Sequence, residues 1–200
     1  MEAEQPSSSP TGPRSKKPDA AAQRLVRMAA ERGSEAVPTL RAALEHPDPW
    51  MRLHAVEGLA AIDDVEARAG LAVALHDSNF GVHWSASRAL AGAGAAGVSA
   101  VLRALLHDEP STGFLHGAAY VLHHAHLASE QRLAVIPVME ALRRPAADLE
   151  APVAAFAALN AFQGVAAVGA VQPFIPWYRA IRRRRRRMES LAPAVIGTPS

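Results

Sequence analysis

Apolar side chains return along this chain with a long period. Leu71-Ala-Val-Ala-Leu75-His76-Asp77 recurs as Leu102-Arg-Ala-Leu-Leu106-His107-Asp108, 31 residues later. The same place falls at Leu44, Leu75, Leu106, Leu142 and Ile181, with spacings of 31, 31, 36 and 39 residues. Four residues before these anchors stand Leu40, Leu71, Leu102, Val138 and Trp177. Directly before them stand Ala43, Ala74, Leu105, Ala141 and Ala180. An apolar pair at i, i+4 beside a small neighbour is one stripe of an amphipathic helix, here helix B of each unit.

A second stripe lies between the anchors. Ala55, Ala86, Gly117 and Ala155 align, each followed four residues later by Leu59, Leu90, Val121 or Leu159. Small residues at one helical position let a neighbour approach closely, so this is helix A. Polar breakers separate B from the next A, as in His46-Pro47-Asp48-Pro49, Asp77-Ser78-Asn79 and Arg144-Pro145; such residues stop one helix and cap the next. The expected first unit has helix A over 21–31, an end near Gly33, Ser34 as a cap and Pro38 in the first turn of B. Units two and three are expected over 49–76 and 80–107. Unit four is expected to place helices at 112–126 and 129–143, and helix A of unit five covers 151–163, ended by Gly164.

One such pair cannot bury its apolar face alone, but stacked copies can. The fold expected is a single all-α, right-handed solenoid of about five helix pairs over residues 21–187. Residues 1–20 are expected to be a disordered tail and 188–200 a flexible one. The acidic start has no apolar run of the kind a secretory signal needs.

The stretch Pro47-Asp48-Pro49-Trp50-Met51-Arg52-Leu53-His54-Ala55-Val56-Glu57-Gly58-Leu59-Ala60 resembles the start of a HEAT-like repeat of the short bacterial type, as in phycobilisome lyases. That pattern runs Asp-Pro-x-Val-Arg-x-x-Ala-x-x-Ala-Leu-Gly. Gly81-Val82-His83-Trp84-Ser85-Ala86 is similar, with His83 where the family has Arg. The resemblance implies a binding scaffold whose B helices line a concave surface. Three residues before the B anchors stand Arg41, Ala72, Arg103, Met139 and Tyr178, and two before stand Ala42, Val73, Ala104, Glu140 and Arg179. Arg41, Arg103, Tyr178 and Arg179 are therefore candidate contacts for a protein or peptide partner, with ordinary solvated positions as the alternative.

Charge alters this picture at one end. Residues 21–178 carry 11 Arg against 15 Asp and Glu, whereas residues 179–200 carry 7 Arg against 1 Glu. Six consecutive arginines, Arg182, Arg183, Arg184, Arg185, Arg186 and Arg187, point to phosphates of nucleic acid or of an anionic membrane surface. The competing reading is a solvated helix C-terminus that complements the dipole. No aromatic residue is interleaved with the arginines, which argues against reading of bases. Residues 151–178 hold no charged side chain. That length suits a membrane span, but Pro152, Asn160, Gln163, Gly164, Gly169, Pro173 and Pro176 argue for two helices instead.

The chain has nine histidines and no cysteine. Without thiols there is no disulfide frame or thiolate metal site, which fits a cytoplasmic, reducing setting. His76 and His107 stand one repeat apart, too far to share an ion, and are expected to cap helix ends. His54 and His116 occupy equivalent places two repeats apart. His123 and His126 share a helical face at i, i+3, yet no carboxylate joins them at ligand spacing, so no metal or other cofactor is expected. The His-Glu pairs of HEAT-like diiron hydroxylases are replaced here by Leu53-His54, Trp84-Ser85 and Leu115-His116. No phosphate loop, nucleophile elbow or His-Glu-x-x-His occurs. The expectation is a non-enzymatic scaffold with no small-molecule substrate and no catalytic residue. Nucleic-acid or anionic-surface binding is the second reading. A lyase-type subunit or a helical-repeat glycosylase, resting on fold analogy alone, is the third.

Overall fold

The computed structural model describes residues 20–107 and 110–163. Among them lie α1 (Ala20–Arg32), a 3-10 turn (Gly33–Ala36), α2 (Val37–Ala43), α3 (Pro49–Ala60), α4 (Val65–Ala74), α5 (Phe80–Gly92), α6 (Gly94–His107), α7 (Thr112–His124), α8 (Ser129–Leu142) and α9 (Ala147–Gln163). No strand occurs among the described residues. The polar breakers Asp48, Asn79 and Ser111 act as expected, and Asp64, between α3 and α4, does the same. Asp48 Oδ1 accepts from the Trp50 N–H at 3.0 Å, Asp64 Oδ1 from Glu66 at 2.7 Å, Asn79 Oδ1 from Val82 at 3.3 Å, and Ser111 Oγ from Phe114 at 3.1 Å. Each satisfies a helix N–H that has no partner within its own helix, a contribution of about 1 kcal/mol.

Ser34 is not such a cap. Gly33 turns the chain at φ 54°, and the 3-10 turn runs straight into α2, whose preceding residue is Ala36 with no side-chain bond. Ser34 lies inside the 3-10 turn, two residues short of the position from which a side chain could cap α2. Its hydroxyl instead donates to Asp64 Oδ2 at 3.4 Å. Pro38 does stand in the first turn of α2.

The helices pair and stack in two rows. One row runs α1, α3, α5, α7, the other α2, α4, α6. The stripe residues Leu40, Leu59, Leu71, Leu75, Ala86, Leu90, Leu102, Leu106 and Val121 are all buried in one continuous core, and Ala55 is buried as well. Gly117 shows why a small residue is needed in the A stripe. A Cβ there would stand 2.9 Å from Ser87 Oγ and 3.0 Å from Leu75 Cδ2. Ser87, the one buried polar residue among those described, donates to the His83 carbonyl at 2.9 Å.

Arg52 ties successive units together. Its Nε and Nη2 donate to Asp77 Oδ2 and Oδ1 at 2.6 and 2.9 Å, and Nη1 donates to the carbonyls of His46 and Pro47 at 2.9 and 3.1 Å. One guanidinium thus joins the α2–α3 turn to the α4–α5 turn. The fork geometry explains Arg at this place, since Lys offers no bidentate pair.

The stack changes register after α7. The sequence places α8 beside α6 and α9 beside α7. Instead α9 packs along both α6 and α8, and it makes almost no contact with α7. It also begins at Ala147, earlier than expected. The physical reason lies in how much apolar surface each helix must cover. On α6, Gly97, Val98, Ala100, Val101, Leu102, Leu105 and Leu106 are all buried, so it needs partners on more than one side. On α8 only Val135, Val138 and Ala141 are buried, while Leu133 and Ile136 remain 66% and 42% exposed. The charge-free part of α9 buries Ala151, Ala155, Ala158 and Leu159, and a helix apolar on most sides takes the deeper seat. Its small side chains let it approach α6 and α8 together. The second half of the expected fifth unit, and the domain limit at 187, lie outside the described residues.

Candidate functional site

The register change leaves one face of α7 uncovered. Thr112, Leu115, His116, Ala119 and His123 recur at intervals of three and four, which makes them a single helical stripe. Met139 and Leu142 of α8 and the turn from Arg143 to Asp148 face that stripe across a groove of about 950 Å³. Apolar side chains, notably Leu115, Ala119, Met139 and Leu142, make the floor. His116, His123, Arg143 and Arg144 bring basic groups to it, and Asp148 is the carboxylate among its lining residues. Arg144 Nη1 donates to Glu150 Oε2 at 2.9 Å. Concave sites of this size, apolar with a few polar groups, suit a ligand or a peptide segment. Met139, expected on the inner row of B helices, belongs to this groove because α9 occupies the row in place of α8.

The structure separates the arginines expected to form one track. Arg41 Nη1 donates to Glu66 Oε2 at 2.6 Å. Its stem also covers Gly70, where a Cβ would stand 3.1 Å from Arg41 Cγ. Arg103 is exposed on α6. The helix α4 lies between them, so helix spacings of 8–10 Å put the two roughly 16–20 Å apart. At the intervening unit Ala72 is buried and Val73 is 53% exposed. Tyr178, Arg179 and Arg182 to Arg187 lie outside the described residues.

His76 and His107 stand at helix ends, as expected. His76 directly follows the end of α4, where its ring stacks on Phe114 at 4.3 Å and 14°, and its Nδ1 lies 3.3 Å from Ser111 Oγ. Phe114 is a large buried apolar ring, and the flat imidazole covers it. His107 is the last residue of α6 and is exposed. His54 Nδ1–H donates to Glu57 Oε2 at 2.7 Å. His123 and His126 do not share a helical face, because α7 ends at His124 and Ala125 turns extended at ψ 140°. Among the described residues no three His, Asp or Glu side chains converge as metal ligands. Nor is any described helix long and apolar enough to cross a membrane.

The A row also carries a run of rings that meet across two helices. Phe80 and Trp84 of α5 stack at 6.0 Å and 10°, Trp84 meets Tyr120 of α7 at 4.7 Å and 57°, and Tyr120 stacks on His124 at 4.1 Å and 24°. Two aromatic pairs spaced i, i+4 on consecutive A helices were the available signal.

Asp77, which holds Arg52, has the clearest electrostatic perturbation. Burial pushes its carboxyl up, but the Arg52 hydrogen bonds, the Asn79 N–H at 2.8 Å and the charges of Arg52 and His83 outweigh it, leaving it below the ordinary 3.8. The same hydrogen bond raises Arg52 further above its ordinary range.

The family model of HEAT repeats matches residues 14–91, fewer than half of the 200 in the chain. Nothing among curated proteins and nothing among solved structures matches the chain. The matched span ends at the last turn of α5, before the register changes. Over its regular part the chain is therefore similar to HEAT repeats, and its described helices form an α-solenoid.

Proposed function

We propose that this protein is a non-enzymatic protein-binding scaffold, and that a segment of its partner seats in the groove between α7 and the α8–α9 turn. HEAT repeats generally serve as interaction scaffolds, and stacked rigid pairs offer contacts spread over several units. The observation that carries the reading is the groove itself, with an apolar floor from Leu115, Ala119, Met139 and Leu142 beside the basic side chain of Arg143, while Arg144 at its edge is held by Glu150. That combination favours a partner segment with apolar anchors flanked by carboxylates. Arg103 and Val73 on the B row add a second, shallower contact surface. The reading includes the short bacterial type of repeat, a cytoplasmic setting, and no cofactor.

The test is affinity purification of the full chain from its native cells after nuclease treatment, alongside Ala119→Arg. The substitution fills the groove floor with a charged side chain. The expected result is a defined protein that survives nuclease with the unaltered chain and is lost with Ala119→Arg, while circular dichroism stays unchanged. Retention of the same protein by the folded variant removes the groove from the account. Loss of all material on nuclease treatment removes the scaffold reading.

A further inference from the structure

We infer that the aromatic row on α5 and α7 is a binding platform for a single-stranded nucleic acid. Four rings follow one another across two helices, Phe80, Trp84, Tyr120 and His124, with successive centroids 6.0, 4.7 and 4.1 Å apart. Phe80, Trp84 and His124 are open to solvent, and Tyr120 is half-buried between Trp84 and His124. Phe80 is 70% exposed and Trp84 37% exposed, and His124 is exposed. Large exposed rings in a contiguous row are a costly surface to present to water and mark a binding site.

The charge around the row selects the partner. Neither α5 nor α7 contains a single Asp or Glu. Arg88 stands one turn beyond Trp84 on the same face, and His123 lies against His124 at 4.7 Å. Asp77, three residues before Phe80, is engaged by Arg52, and Glu57 of the neighbouring α3 is engaged by His54. The His124 ring is set by its own helix, since Nδ1–H donates to the Tyr120 carbonyl at 3.0 Å. Rings for stacking beside Arg88, on two helices that carry no carboxylate, is a combination that suits unpaired bases and their phosphates. It also supplies what the arginine run lacks, because Arg182 to Arg187 offer charge with no ring among them. A duplex hides its base faces, so the row suits a single strand.

The experiment uses the full chain and three probes of about 15 nucleotides: a fluorescently labelled oligothymidylate, an abasic strand of equal length and a duplex. The abasic strand keeps the phosphates and removes the bases, so the affinity difference isolates stacking from the arginine run. The unaltered chain is expected to bind oligothymidylate about tenfold or more tighter than the abasic strand. Trp84→Ala and Phe80→Ala are each expected to shrink that preference at least about fivefold, with Trp84→Phe retaining it. Substituting glutamine throughout Arg182 to Arg187 is expected to flatten the salt dependence while leaving the preference in place. Because Phe80 is mostly exposed, its variant remains folded even where Trp84→Ala is not. Equal affinity for the thymidylate and abasic strands, equal affinity for the duplex, or a preference unchanged in both alanine variants overturns the proposal. So does the absence of binding to any strand.

Discussion

Among the glycines described, Gly97 is the one a neighbouring helix crosses most closely, and replacing it with alanine is a sharp test of the packing. Helices α5 and α6 are joined by Ala93 alone, with Gly94 turning the chain at φ 57°. The first turn of α6 then passes directly over the end of α5. A Cβ at Gly97 would fall 1.9 Å from the Leu90 carbonyl oxygen, 2.8 Å from its carbon and 3.1 Å from Leu90 Cα. Close carbon–oxygen contacts lie near 3.3–3.6 Å, so the helices must part by roughly 1.4 Å or more. The obstacle is backbone, so no rotamer change relieves it. Overpacking of this kind costs about 1–3 kcal/mol and occasionally more, against a helix-propensity gain of about 1 kcal/mol for Gly→Ala. Separation also loosens buried Leu90, Val98 and Val101, which brings the expected net loss to about 2–4 kcal/mol. Urea unfolding followed by circular dichroism measures it, with Gly92→Ala as the control. At Gly92 nothing lies within 4 Å of an added Cβ, so that variant is expected to be within about 0.5 kcal/mol of the parent or slightly more stable. A Gly97→Ala variant as stable as the parent refutes the α5–α6 geometry.

Other expectations follow from the same contacts. Leu90→Asp places an unpaired charge in the middle of the core and is expected to unfold the stack; a cooperative thermal transition near that of the parent contradicts this. Arg52→Ala leaves Asp77 without its partner at a site where the two side chains are only 15% and 9% exposed, with an expected loss of about 2–4 kcal/mol by chemical denaturation. The Asp77 carboxyl is depressed, so its contribution is present above the ordinary 3.8 and is lost as pH falls below that toward the folded value. The stability gap between the parent and Asp77→Asn is therefore expected to stay level above about pH 5 and to narrow at lower pH. A gap that widens on acidification rules out the depressed carboxyl. Phe114→Ala removes the ring against which His76 stacks and is expected to cost about 3–5 kcal/mol, read from the shift in urea midpoint.

Much of the stack was legible because its signals are local. The i, i+4 pairs Leu40–Leu44, Leu71–Leu75 and Leu102–Leu106 face the core, and Asp48, Asn79 and Ser111 sit at helix starts where their side chains bond free N–H groups. The position of α9 was not legible. Ala155 aligns with Ala55, Ala86 and Gly117 and is buried as they are, but an alanine-rich helix has no single stripe to say which neighbour buries it. The groove was hidden for the same reason, since it exists only because α9 is elsewhere. Arg41 reads as an open inner-face cation until Glu66, 25 residues on, is brought against it. The aromatic row escaped because its two halves, Phe80–Trp84 and Tyr120–His124, meet only when α5 packs on α7. Among Gly92, Gly94 and Gly97, nothing in the sequence marks which one a neighbouring backbone crosses.

The claim on which the groove rests is that α9 lies along α6 and leaves α7 open. Methyl-to-methyl cross-peaks in an NMR spectrum of the full chain, with alanine, leucine and valine methyls labelled, test it directly. The account requires cross-peaks from Ala155, Ala158 and Leu159 of α9 to methyls of α6 and α8, with almost none to Leu115 or Ala119 of α7. Cross-peaks concentrated between α9 and α7 would restore a regular stack, close the groove and contradict the account.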